Sequence, residues 1–148
     1  MEIIKGIATK VRNTSEISGG GRDDHVSTSH ISIFLLDKQQ VKIKSSETPM
    51  INENDFVSVA GKINNGVFKG YAYKNATTGA SGNAGILIMF LFGLLFPGAG
   101  IFAFITFSNP FFGFLPKIIS LIFISAGLYI FYHGIQVLKA TNLLRSDN

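Results

Sequence analysis

The sequence predicts a chain of two kinds of structure: an N-terminal five-stranded antiparallel β-barrel, then a two-helix transmembrane hairpin. Three observations carry the prediction. Charge is confined to one half: up to Ser81 there are ten Lys or Arg and eight Asp or Glu, whereas residues 75 to 144 contain only Lys117 and Lys139. Two long apolar runs occupy that uncharged half, Ala84 to Phe107 and Ile118 to Leu138. The charged half contains five short runs in which apolar and polar residues alternate, the period of a half-buried strand. The 148 residues suffice for one ordinary domain, or for a small one with an appendage.

The five runs are EIIKGIATKVR near residues 2 to 12, VSTSHISIFLL at 26 to 36, QVKIKS at 40 to 45, DFVSVAGKI at 55 to 63 and VFKGYAYK at 67 to 74. DKQQ joins the second and third as a hairpin. NNG joins the fourth and fifth, with Asn and Gly tolerating the positive φ of a tight turn. NTSEISGGGRDDH, between the first two runs, is expected as a long flexible loop. Strand, long loop, hairpin, irregular SETPMINEN and second hairpin is the order of a small OB-like barrel, here residues 1–74.

The segment MINENDFVSVAGKINNGVFKGYAYKN resembles the last hairpin of OB-fold domains, in which a polar turn leads into a V-x-V-x-G strand and a returning strand. Among membrane proteins it is most similar to the NfeD-like group. That resemblance implies a small OB barrel attached to membrane helices and acting as an interaction module. In this chain the barrel precedes the helices, and the resemblance brings no catalytic residues with it.

Residues 75–83, rich in Gly, Ser, Thr and Ala, are expected as a flexible linker that keeps the barrel close to the bilayer. The first span, 84–107, has 24 uncharged residues, roughly 36 Å of helix against a hydrocarbon core of about 30 Å. A short external turn, 108–115, contains Pro110, Gly113 and three phenylalanines. The second span is expected over 116–139, with Pro116 in its first turn, and a cytoplasmic tail over 140–148. Lys62, Lys69 and Lys74 before the first span, and Lys139 and Arg145 after the second, outnumber Lys117 between them. Positive-inside counting then places both termini in the cytoplasm of a bacterial-type inner membrane. The N-terminal MEIIKGIATKVRN has no apolar core of signal-peptide length. The absence of cysteine excludes disulfides and thiolate metal sites and suits a reducing compartment.

The helices carry small residues at intervals of seven: Gly93 and Gly100 in the first, Ser120, Gly127 and Gly134 in the second. Such seams let backbones approach closely, which implies helix packing and a homo-oligomer. A transporter or channel needs polar groups within the membrane, and only His133, beside Tyr129 and Tyr132, qualifies. An interfacial anchor is the expected role of that histidine.

For the barrel, a ligand face is expected from Phe34, Lys42, Lys44, Arg22, Tyr71 and Tyr73, combining cations with aromatic groups on which bases could stack. A net charge of about +2 over the soluble part, ten bases against eight acids, is low for a phosphate-tracking surface, so nucleic acid is the secondary partner class. Asp23, Asp24, His25 and His30 form the one group with metal-ligand chemistry, and a solvated loop is the reading preferred. SGGGR lacks the lysine and hydroxyl of a phosphate-binding P-loop. No nucleophile and base stand at a recognisable spacing, so no catalytic residue, metal or cofactor is expected. The expectation is a non-enzymatic, membrane-tethered binding or scaffolding module with the lipid bilayer and a protein as partners. The alternative is a membrane-localised single-stranded nucleic-acid binder.

Overall fold

The computed structural model describes residues 1–18, 27–45 and 47–147. The chain divides into two compact units, Met1–Ala84 with Val137–Asn148, and Gly85–Gln136, and each is taken by itself.

The first unit is a closed barrel of β1 (Glu2–Ser18), β2 (Ser27–Leu36), β3 (Gln39–Ser45), β4 (Phe56–Asn64) and β5 (Val67–Asn75). Strand β1 pairs antiparallel with both β2 and β4, β2 with β3, and β4 with β5. A short pairing of β3 with β5, Val41 to Ile43 against Phe68 to Gly70, closes the ring. That closing pair is parallel, so the expected antiparallel barrel has one parallel seam. The alternation predicted from sequence produces the core: Ala8, Phe34, Leu36, Val41, Ile43, Val57, Val59 and Phe68 turn inward and are buried. Both hairpins use two-residue turns with positive φ, Asp37–Lys38 and Asn65–Gly66, the geometry that matches the twist of the flanking strands.

Strand β1 serves two neighbours because it bends. Residues 2–7 pair with β4 and the remainder with β2, and the register slips between Thr9 and Arg12. Lys10 takes a positive φ there, as a bulge requires. Two backbone N–H groups freed by the bulge, those of Lys10 and Val11, each donate to one carboxylate oxygen of Glu53 at 3.0 Å. The two bonds, Val11's first and Lys10's next, hold the Glu53 carboxyl below the usual carboxylate range. Because the folded value is the lower one, this stabilisation is complete above the ordinary value of about 4.3 and is lost as pH falls through the folded value. Glu53→Gln should therefore melt earlier than the parent at pH 7, with the gap narrowing below about pH 4.3. A gap that stays constant down to acid pH would rule the clamp out.

Expectations about residues 13–18 and 75–83 change. Residues 13–18 of the expected flexible loop are strand, paired with 27–32 and tied by Ser32 Oγ donating to Asn13 Oδ1 at 2.6 Å. Residues 75–83, expected as a flexible linker, form a hydrogen-bonded turn and a short strand, although 76–79 are exposed. Asn75 ends β5 fully buried, and β6 (Ser81–Asn83) pairs with Ala72 to Lys74. Asn75 Nδ2 donates to Asp55 Oδ2 at 2.7 Å and to the Met50 carbonyl at 2.9 Å, while its Oδ1 accepts from the N–H groups of Thr77 and Thr78. One side chain thus organises a turn that composition alone reads as loose.

The C-terminal stretch, expected as a tail over 140–148, is also structured. Helix α2 (Leu115–Ser146) continues past Lys139, and Ala140 and Leu144 pack with Ala60 and Ala72 on the outer face of the barrel, flanked by Ile3 and Tyr71. The signal was present in the sequence as Val137, Ala140 and Leu144, spaced three and four apart on one helical face. An exposed Lys5–Asp147 ion pair adds little to this contact.

The second unit is α1 (Ile86–Thr106), a 3-10 turn over Pro110–Phe112, and the part of α2 up to Gln136. The expected spans are thus shifted by one or two residues at three ends, and α2 runs longer. Both helices are long and apolar enough to cross a membrane. Only 11% of the apolar window of α1 and 17% of that of α2 is buried, whereas a core helix of a soluble domain is mostly buried.

Candidate functional site

The barrel exterior carries a lateral row of lysines. Lys42 on β3 is the register partner of Lys69 on β5, and Lys69 is the partner of Lys62 on β4. Lys42 lies between inward Val41 and Ile43, and Lys69 between inward Phe68 and Gly70, so both leave the outer surface, and Lys62 shares that face as the register partner of Lys69. Neighbouring strands lie about 4.8 Å apart, which brings three like charges side by side. Like charges in directly opposed positions are destabilising. Among the described residues none of the three forms an ion pair. Lys44, next outward on β3, is different: its ammonium donates to Glu16 Oε2 at 2.8 Å. That hydrogen bond, the Lys44 charge and the weaker field of Lys42 hold the Glu16 carboxyl below its usual range.

Of the expected ligand face, Lys42 and Lys44 are on the surface, but Phe34 and Tyr73 are corrected to core residues, at 1% and 5% exposure. Inward alternation along β2 places Phe34 among Leu36, Val41 and Ile43, and the Tyr73 hydroxyl accepts from the Met50 N–H at 3.0 Å. Neither can stack a base. Tyr71 is half-buried against the Ala140–Leu144 face of α2. Arg22 lies outside the described residues, as do Asp23, Asp24 and His25. His30 Nδ1 is within hydrogen-bond distance of the hydroxyls of Ser15 and Thr48. Lys62 and Lys69 were missed as site residues, although the two-residue Asn65–Gly66 turn by itself sets them opposite each other. Their alignment with Lys42 depends on the β3–β5 closure, for which local sequence has no signal.

In the second unit every residue of the expected small-residue seams is buried. A Cβ on Gly93 would lie 2.9 Å from the Phe131 backbone, one on Gly100 would lie 2.8 Å from the Ser120 carbonyl, and one on Gly127 would run into the Pro97 ring. Gly134 faces Met89 and Phe90, and the Ser120 hydroxyl turns back to the Pro116 carbonyl at 2.8 Å. Edge-to-face pairs Phe90–Phe131 and Phe96–Phe123 flank the seam. The seams are therefore used between α1 and α2 of one chain, and they no longer argue for an oligomer. His133 meets Tyr129 edge-on, ring centroids 4.7 Å apart.

Fold and site together define a class: a closed five-stranded barrel with an external cation row, joined to two helices able to cross a membrane. Comparison with families of proteins, with curated proteins and with solved structures finds no match to this chain.

Proposed function

We propose that the protein is a non-enzymatic binding module of the inner membrane, with an OB-type barrel held at the cytoplasmic face and the row Lys42, Lys69 and Lys62 as its contact for an acidic segment of a partner protein. The single observation behind this reading is the row itself: three adjacent cations, without ion pairs among the described residues, at positions where mutual repulsion opposes them. The membrane placement is supported by two helices that keep most of their apolar surface uncovered. An interaction module is also what the NfeD-like resemblance of residues 50–75 implies. Single-stranded nucleic acid would be attracted by the same row, but two of its three expected stacking groups, Phe34 and Tyr73, are in the core.

The test is crosslinking of the full-length protein in native membranes, parent against the triple variant Lys42→Gln, Lys62→Gln, Lys69→Gln. Capture of a defined protein partner should fall at least tenfold in the variant and should weaken with added salt. Equal capture by both would overturn the assignment of the row. Salt-sensitive, row-dependent retention of oligonucleotide by the detergent-solubilised chain would transfer the reading to nucleic acid.

Topology has its own test. A reporter active only in the periplasm should stay silent when fused after Asn148 and become active when inserted at Gly113, in the turn between the helices. The reverse pattern would put the barrel outside the cytoplasm. In that case the triplet Asn75-Ala76-Thr77, a glycosylation pattern by sequence, would still be unusable, since the Asn75 side chain is buried with its amide engaged.

A further inference from the structure

A second basic feature lies within the barrel unit, apart from the lysine row. Strands β5 and β6 and the last turns of α2 enclose a cleft of about 350 Å³. Its lining includes Lys74, Ser81, Asn83, Thr141 and Arg145, with Leu144 as part of its apolar wall. Among the described residues, two cations and no carboxylate line it. Asp147, the acid nearest in sequence, is engaged by Lys5, and among the described residues Arg145 forms no ion pair. The Thr141 hydroxyl is turned to the Val137 carbonyl at 3.0 Å, and the Arg145 guanidinium with the Lys74 charge and the Ser81 hydroxyl supplies the kind of donors that grip the oxygens of a phosphate.

The position along the chain is equally specific. Asn83 is three residues before the start of α1, and Arg145 is six residues, about 9 Å of helix, beyond Lys139, the first charge after the second apolar run. Headgroup regions are about 5–8 Å deep on each side of the hydrocarbon, within reach of a long arginine side chain. We propose that this cleft is a binding site for a phosphate group, supplied by the headgroup of an anionic phospholipid or by a free phosphate compound. Only the lipid source rests on the membrane reading above.

An arginine in the last turn of a helix also complements the helix dipole, a role that does not depend on any ligand. The readout is therefore the rise in thermal midpoint that a ligand produces, each variant being compared with itself. Full-length parent, Arg145→Gln and Lys139→Gln are melted in mild non-ionic detergent with phosphatidylglycerol, and the shift is taken in excess of that given by phosphatidylcholine. Glycerol 3-phosphate forms a parallel arm without acyl chains. The parent should be raised by several degrees, Lys139→Gln equally, and Arg145→Gln by no more than a third as much. A shift confined to phosphatidylglycerol identifies the lipid as the source, and an Arg145-dependent shift from glycerol 3-phosphate as well identifies a free phosphate compound. No excess shift in either arm overturns the site, as does equal loss in the two variants, which would show general attraction between basic protein and anionic lipid.

Discussion

Asn75→Ala is expected to lower the thermal midpoint of the barrel by roughly 15 °C, from a loss of about 3 kcal/mol. Removing the amide leaves Asp55 Oδ2, among the described residues, with the Asn52 N–H at 2.8 Å alone, leaves the Met50 carbonyl without its 2.9 Å donor, and frees the N–H groups of Thr77 and Thr78. Each buried polar group deprived of its partner costs about 1–3 kcal/mol, less where water can enter. Asn75→Asp keeps the shape but sets a second carboxylate against Asp55, and should destabilise as well. Thr77→Ala removes only the acceptor of the Phe56 N–H at an exposed site and serves as the mild control. Pulse proteolysis of the full-length chain in detergent reads the barrel directly. If Asn75→Ala resists protease like the parent, residues 75–83 are the loose linker that their composition resembles.

Gly127→Leu should separate α1 from α2, because even the first added carbon meets the Pro97 ring. Overpacking of a well-filled contact costs about 1–3 kcal/mol, and here the obstacle is a rigid ring in a helix interior that cannot turn away. Gly127→Ala, which would be mild if a flexible side chain faced it, should already cost about 1 kcal/mol, since its one methyl occupies the same space. Gly98→Ala is the control: a Cβ there meets nothing within 4 Å. Unfolding in mixed micelles of rising SDS content, followed by circular dichroism, should order the midpoints as parent and Gly98→Ala, then Gly127→Ala, then Gly127→Leu. An unchanged midpoint for Gly127→Leu would show that the helices are not held together at this contact.

The seam is legible in the sequence because helix periodicity is local: Gly93 and Gly100, and Ser120, Gly127 and Gly134, fall on single faces by spacing alone. What faces Gly127 was not legible. Pro97 stands across from it through the relative height of two helices, which the turn between them and the packing of both decide. The two-residue turns were readable for the same local reason, and Asn65–Gly66 carries with it the register that pairs Lys62 with Lys69.

The ligand face shows the limit from the other side. Alternation marks which residues of a strand share a face, and it placed Phe34 and Tyr73 correctly with respect to their neighbours. It does not say which face is interior, and an aromatic residue beside lysines reads equally well as a stacking group or as core. Closing the barrel through β3 and β5 decides that question, turning Phe34 and Tyr73 inward and aligning Lys42 with Lys69 across strands 27 residues apart in sequence. The sequence by itself determined the five strands, the two apolar helices and the seam, each the product of a short repeat or a long run of one polarity. The tertiary structure alone decided that Asn75 ties residues 75–83 into a turn and a strand, that the end of α2 covers Ala60 and Ala72, and that three separate lysines form one row. Those outcomes depend on contacts between residues far apart in the chain, whose energies no local pattern encodes.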